Sequence, residues 1–191
     1  CTAVNIVTMV FGNMGWNSGT GVAFSRDPAT GENKLYGEFL PNAQGEDVVA
    51  GIRTPMSIEE FKKMFPDLYE QLEKAAKILE KVNKDIQDIE FTVERRKLYF
   101  LQTRNAKMTP MARVKTAVDM AKEGIITVEE AILKVSPEHV VQLLYPRIDP
   151  KAKATPIAKG LAASPGAVSG QAVFHPDDAV RWAKEGKKVI I

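Results

Sequence analysis

The chain has 191 residues, 45% of them hydrophobic, which is room for one substantial domain and part of another. Its 26 Lys and Arg against 24 Asp and Glu leave a net charge of +2, so neither nucleic acid nor a membrane surface is indicated and any anion site must be local. The single cysteine, Cys1, cannot form an internal disulfide, no apolar run approaches the roughly 20 residues that cross a bilayer, and no basic region followed by an apolar stretch opens the chain.

The first half reads as strand and loop. Ala3 to Phe11, Gly21 to Ser25 and Lys34 to Leu40 are short apolar or alternating runs separated by Gly, Asn, Ser and Pro clusters. Ser57 with Glu60 forms a capping box that should start a helix, Pro66 breaks it, and an amphipathic helix resumes from about Asp67 to Val82. Asp88 to Arg104 alternates around a polar turn at Glu94 to Lys97 and is a hairpin candidate. Thr109 before Pro110 starts a further helix that Gly124 stops, Thr127 with Glu130 is a second capping box, and Ser136 before Pro137 starts a third short helix. Tyr145 to Lys159 carries Pro146, Pro150 and Pro156 and reads as a semi-rigid tether. Beyond it, Gly160 to Phe174 is strand-like and Pro176 to Glu185 helical. Both ends fall inside apolar runs, Thr2 to Phe11 and Lys187 to Ile191, so the expectation is an excised segment of a longer polypeptide.

Three features carry candidate chemistry. In the hairpin, Asp88 and Glu90 are two apart and so share one face of a strand, as do Gln102 and Arg104 on the return strand. With an odd loop, Phe91 pairs with Leu101 in the core, and Glu90 faces Gln102 while Asp88 faces Arg104 on the other side. Two carboxylates beside a guanidinium and an amide suit Mg-ATP, with Leu98 and Phe100 lining an adenine pocket; the same spacing also suits a surface hairpin with a cross-strand ion pair. The segment Gly12 to Gly21 holds four glycines whose amides could line a phosphate, or it is a plain flexible turn. It is not a Walker loop, because no Gly-Lys-Ser/Thr follows. Glu38 and Glu46 flank a polar loop around Asn42 to Gly45, which either adds carboxylates to a metal site or is a solvated acidic loop.

Taken together, TMVFGN at Thr8 to Asn13, SGTGVAF at Ser18 to Phe24, RDP at Arg26 to Pro28 with TGE at Thr30 to Glu32, NAQGEDVVAGIRTP at Asn42 to Pro55, and DIEF at Asp88 to Phe91 with LQTR at Leu101 to Arg104 resemble consecutive motifs of the pyruvate phosphate dikinase family. GLAASPGAVSG at Gly160 to Gly170 is similar to the start of that family's mobile domain, so the resemblance spans nearly the whole chain. It implies an α+β organisation: the C-terminal part of an ATP-grasp nucleotide-binding domain at 1–108, a helical connector at 109–145, a linker at 146–159, and the truncated start of a β/β/α swivelling phosphohistidine domain at 160–191. The implied activity interconverts ATP, pyruvate and phosphate with AMP, phosphoenolpyruvate and diphosphate through a phosphohistidine carrier. Related phosphoenolpyruvate synthases and other water dikinases share the overall plan, and a non-catalytic docking module is a further alternative.

Carried over by motif position, the resemblance implies that Asp88 and Glu90 bind Mg²⁺, Gln102 and Arg104 contact the nucleotide phosphates, Thr20 and Gly21 lie against ATP, and Glu38 and Glu46 complete the site. The family's N-terminal lobe, acceptor histidine and pyruvate-binding barrel would lie outside this chain, so the isolated chain should bind Mg-ATP weakly and not turn over. His139 and His175 match no acceptor motif. The family is homodimeric and cytoplasmic, or organellar where a transit peptide is present. Arg95 and Arg96 occupy a turn where the family usually has glycine, which predicts a different loop or a strained Arg96.

Overall fold

The computed structural model describes residues 4, 6–50, 53–145, 148, 149, 151, 152, 155 and 167–191. One compact unit runs to Ser136 and a second spans Pro137–Ile191. The first contains β1 (Gly19–Phe24), β2 (Tyr36–Pro41), α1 (Gly45–Ala50), β3 (Met56–Ser57), α2 (Ile58–Met64), α3 (Pro66–Asn83), β4 (Gln87–Glu94), β5 (Lys97–Asn105), α4 (Pro110–Lys122) and α5 (Val128–Lys134). Its strands form one antiparallel sheet in the order β3-β2-β1-β4-β5.

The sheet is two-faced because its strands alternate. Ala23, Phe39, Ile89, Phe91 and Val93 point to one side, where they meet Phe61, Phe65, Leu68 and Leu72 of the α2–α3 region. Phe39 stacks on Phe91 with ring centres 6.0 Å apart and lies 4.7 Å from Phe61, so one aromatic cluster fixes how the helices sit on the sheet. The helices begin where local chemistry dictates. The Ser57 hydroxyl accepts from the Glu60 amide while the Glu60 carboxylate accepts from the Ser57 amide at 2.8 Å, and Pro66 opens α3 at a position where its missing N–H costs nothing. Thr127 with Glu130 caps α5 by the same reciprocal pair, and at α4 the Thr109 hydroxyl accepts from the Ala112 amide ahead of Pro110.

Two buried ion networks attach the remaining helices. Arg26, fully buried, forks onto Glu80 of α3 (Nη2 to Oε1, 2.7 Å) and onto Glu123 at the end of α4 (Nη2 to Oε2, 2.6 Å), and the Ser25 hydroxyl donates to Glu80 at 2.8 Å. Burial pulls the guanidinium down, but its two carboxylate partners outweigh that and hold it above its ordinary value. An acidic group at a helix C-terminus opposes the helix dipole, so Glu123 owes its place there to Arg26. Asp85, just before β4, accepts from Arg113 of α4 at 2.9 Å and from Lys134 of α5 at 3.1 Å. The helices expected to be a connector after residue 108 are therefore tied to the sheet as far as Ser136.

The second unit holds α6 (Pro137–Leu144), β6 (Gln171–Ala172), α7 (Pro176–Lys184) and β7 (Val189–Ile190), with β6 and β7 parallel. The strand-like reading of Gly160 to Phe174 is met only by the short β6, residues 160–166 lying outside the described residues. Most of the expected tether, and Cys1, lie outside them as well.

Three expectations need correction. The run Ala3 to Phe11 is not a strand in its described residues: Val4 and Ile6 are 83% and 96% exposed, and β1, the nearest strand in sequence, is already paired on both edges. Glu46 lies not in a loop but in the first turn of α1. The hairpin turn has two residues rather than an odd number. Phe91 therefore pairs with Phe100, and a bulge at Leu101 supplies the extra residue before the Glu90–Gln102 pair.

Candidate functional site

The face of the sheet opposite the helices carries the polar groups, and the strand register sorts them into rows. Glu38, Val22, Glu90 and Gln102 lie opposite one another across β2, β1, β4 and β5. The next row toward the end of β1 is Tyr36, Phe24, Asp88 and Arg104, and the row on the other side is Leu40, Thr20, Thr92 and Tyr99. Residues directly opposite in an antiparallel pair project to the same side, so both expected carboxylate partners, Glu90 with Gln102 and Asp88 with Arg104, are neighbours. Because the bulge precedes this region, Leu98 and Phe100 turn to the helix side, where Leu98 packs on the core and Phe100 lines a groove with Ile78 and Leu79. Their expected place in an adenine pocket is thereby overturned; Leu101, the bulge residue, lines both that groove and the cavity on the polar side.

A cavity of about 790 Å³ opens over this face. Thr20, Val22, Glu90, Thr92 and Leu101 form its floor, and Gly12 and Glu46 are among the residues that wall it. Thr20 and Thr92 are buried, with their hydroxyls 3.4 Å apart. Gly21 contributes backbone to the cavity and needs to be glycine for the other face: a β-carbon there would lie 2.6 Å from the Phe91 ring. Of the eight residues singled out from the sequence, Thr20, Gly21, Glu46 and Glu90 line this cavity. Asp88 and Arg104 stand one row away, Gln102 beside Glu90 lines the neighbouring groove, and Glu38 is separated from Glu90 by Val22.

The Arg104 side chain donates from Nε to Asp88 Oδ2 at 2.7 Å, and this contact raises the guanidinium above its ordinary value. The other carboxylate oxygen, Asp88 Oδ1, is buried and has no partner. An orphaned carboxylate oxygen beside a second carboxylate is a donor set with capacity left over for a hard cation. No cluster of three or more His, Cys, Asp or Glu suited to a metal occurs among the described residues.

The glycine-rich segment does not dangle. The Phe11 amide donates to Glu94 at 2.7 Å, the Gly15 amide to Asn42 Oδ1 at 3.1 Å, and the Ser18 amide to the Gly15 carbonyl at 3.0 Å. Fewer of its N–H groups are free for a phosphate than its composition suggests. Thr92, Gln44 and Glu94 are not among the site residues expected from the sequence. Thr92 was within reach, since it is two residues beyond Glu90 on the same strand face, whereas Gln44 and Glu94 depend on where distant segments meet.

A family model described as "Pyruvate phosphate dikinase, AMP/ATP-binding domain" matches residues 1–66 and 59–125. Over its whole length the chain is 53% identical to "Pyruvate, phosphate dikinase" of Rhizobium meliloti and 55% identical to the protein of that name from Entamoeba histolytica, covering 22% of each. It is 54% identical to "Pyruvate, phosphate dikinase 1, chloroplastic" of Arabidopsis thaliana, covering 20% of it. The chain thus spans about a fifth of the length of these curated relatives. Among the described residues no helix is long and apolar enough to cross a membrane.

Proposed function

Since the chain belongs to the pyruvate phosphate dikinase family, through the AMP/ATP-binding domain of those enzymes, we propose that it forms one wall of the Mg-ATP site of a pyruvate phosphate dikinase. The observation that carries this reading is the pair of adjacent rows in which Glu90 faces Gln102 and Asp88 faces Arg104, with Asp88 Oδ1 left unpartnered. Asp88 and Glu90 would hold Mg²⁺, which when bound supplies positive charge against the phosphate oxygens. Arg104 presents a forked cation and Gln102 an amide to phosphate oxygens, and the Asp88 contact keeps the guanidinium oriented. Thr20 and Gly21 form the floor against which the nucleotide lies, with Glu46 at the cavity wall and Glu38 beside Val22 on the neighbouring strand.

Phosphoryl transfer asks a protein chiefly for positioning and electrostatic stabilisation, and these groups are of that kind. On this reading the whole enzyme converts ATP, pyruvate and phosphate to AMP, phosphoenolpyruvate and diphosphate, and a phosphohistidine carries the phosphoryl group to a separate pyruvate site. Residues 1–108 belong to the ATP-grasp part, 109–145 to a connector, 146–159 to a linker and 160–191 to the start of the carrier domain. The ion pairs of Asp85 with Arg113 and Lys134 support a connector whose α4 and α5 stay with the nucleotide-binding part. The enzyme acts as a homodimer in the cytosol or an organelle. The test is Glu90→Gln in the full-length dikinase, which should lower turnover with Mg-ATP and leave unfolding unchanged; undiminished turnover would remove Glu90 from the site.

A further inference from the structure

Among the described residues, four non-glycine positions adopt a left-handed backbone: Asn42 (φ 48°), Lys84 (φ 54°), Arg95 (φ 48°) and Arg96 (φ 63°). Such residues persist only where their surroundings over-determine them. Three of the four touch the same object, the segment 11–18, whose first two residues, Phe11 and Gly12, wall the cavity. The Arg95 amide donates to Ser18 Oγ at 2.9 Å and the Arg96 amide to the Asn17 carbonyl at 2.9 Å. Asn42 donates its own amide to the Ser18 carbonyl at 2.8 Å and accepts from the Gly15 amide through Oδ1. Beside the strained turn, Glu94 accepts the Phe11 amide at 2.7 Å.

We propose that the tip of the β4–β5 hairpin, together with Asn42, clamps the segment 11–18 over the nucleotide cavity, and that Glu94 is a positioning residue for ATP. Phe11 and Gly12 line the cavity, whereas Glu94 acts through Phe11 and does not line it. The clamp is continuous with the opposite wall. The Gly12 carbonyl accepts the Ala43 amide at 3.0 Å, and a β-carbon on Gly12 would fall 2.2 Å from the Ala43 carbonyl oxygen, so the two backbones are in contact immediately before Gln44, Gly45 and Glu46. The hairpin tip is itself held from outside, since Arg96 Nη2 donates to Asp67 Oδ1 at 3.0 Å at the start of α3. Glu90 and Glu94 lie on one strand, so the element that carries the metal ligand also fixes the wall facing it. That preorganises the cavity and removes the need to order the wall on each binding event.

This inference rests on the nucleotide-site reading above. The test uses the full-length dikinase carrying Glu94→Ala, Glu94→Gln, Ser18→Ala or Glu90→Gln, with KM and kcat measured for ATP and for pyruvate, and with nucleotide-independent exchange between pyruvate and phosphoenolpyruvate followed separately. Loss of a charge-assisted acceptor predicts a rise of about tenfold in the KM for ATP in Glu94→Ala. Glu94→Gln, which keeps a neutral acceptor, should fall between it and the parent, and Ser18→Ala should shift in the same direction. The KM for pyruvate and the exchange rate should stay put. An unchanged KM for ATP in Glu94→Ala, or a parallel fall in exchange, overturns the clamp. Should Glu94→Ala fail to fold, Glu94→Gln and Ser18→Ala decide the matter by the same criterion. If Glu90→Gln also leaves ATP use intact, it is the nucleotide-site reading that fails; a defect in Glu90→Gln alone refutes only the clamp.

Discussion

Replacing Arg26 with Met tests whether the buried network, rather than the aromatic core alone, holds α3 and α4 in place. Glu80 is 1% exposed and accepts from Arg26 Nη2 at 2.7 Å and from Nε at 3.1 Å. Without the guanidinium its carboxylate keeps only the Ser25 hydroxyl at 2.8 Å and a distant Lys77 ammonium at 3.9 Å. Breaking a buried pair from one side leaves an uncompensated charge and costs about 3–5 kcal/mol, a large share of the ~5–15 kcal/mol that typically separates folded from unfolded chains. With a urea m-value of about 2 kcal/mol/M, the midpoint followed by circular dichroism should fall by roughly 1.5–2.5 M. The double variant Arg26→Met with Glu80→Met removes both charges and should recover much of that loss, because Glu123 is 37% exposed and can be solvated. A single-variant loss below about 1 kcal/mol, or a double variant no more stable than the single one, would refute the reasoning.

Two further effects on stability follow. Arg95→Asn keeps the amide that donates to Ser18 and places a residue more tolerant of the left-handed region, so it should stabilise by about 0.5–1 kcal/mol and raise the melting temperature by roughly 2 °C; Arg96→Gly should be nearly neutral, because it also forfeits the Asp67 ion pair and the contact with the Phe65 ring, and an unchanged or lowered melting temperature in Arg95→Asn would contradict the strain assignment. The Arg26 hydrogen bond holds Glu123 below its ordinary value, and Lys84 does the same for Glu130. Depressed carboxylates contribute stability that is fully present above 4.5 and lost as pH falls through their folded values, so the urea midpoint should drop in that acid window and drop less in Arg26→Met.

What could be read from the sequence was what short-range chemistry decides. Ser57 with Glu60 and Thr127 with Glu130 started helices where expected, since a capping box involves only four consecutive residues. The polar alternation of Asp88, Glu90, Gln102 and Arg104 put those four side chains on one face, and the base of the hairpin has the expected pairs. The tip does not, because a two-residue turn and a bulge at Leu101 give the same register at the base as an odd loop while reversing which of the tip residues face the core. Alternation alone cannot distinguish those two routes. The apolar run before Phe11 departs from the expected strand for a related reason: apolar content says that a segment suits a strand, not that a neighbouring strand is free to pair with it. The strain anticipated at Arg96 is present and shared with Arg95, and its purpose becomes visible only when the turn is seen against Asn17 and Ser18. The cavity walls at Gln44 and Gly12 come from segments joined through backbone contacts, which leave no signature in side-chain pattern.

The Mg-ATP site is tested most directly by comparing the full-length dikinase with its Glu90→Gln variant, incubated with Mg-ATP and pyruvate with and without inorganic phosphate, every phosphorus-containing product being identified. The parent should form phosphoenolpyruvate, AMP and diphosphate only when phosphate is present, and the variant should do so about 10- to 100-fold more slowly, the loss expected for one charge-assisted contact, with its unfolding midpoint unchanged. Phosphate-independent formation of phosphoenolpyruvate and AMP by the parent, or full activity in the variant, would contradict this reading.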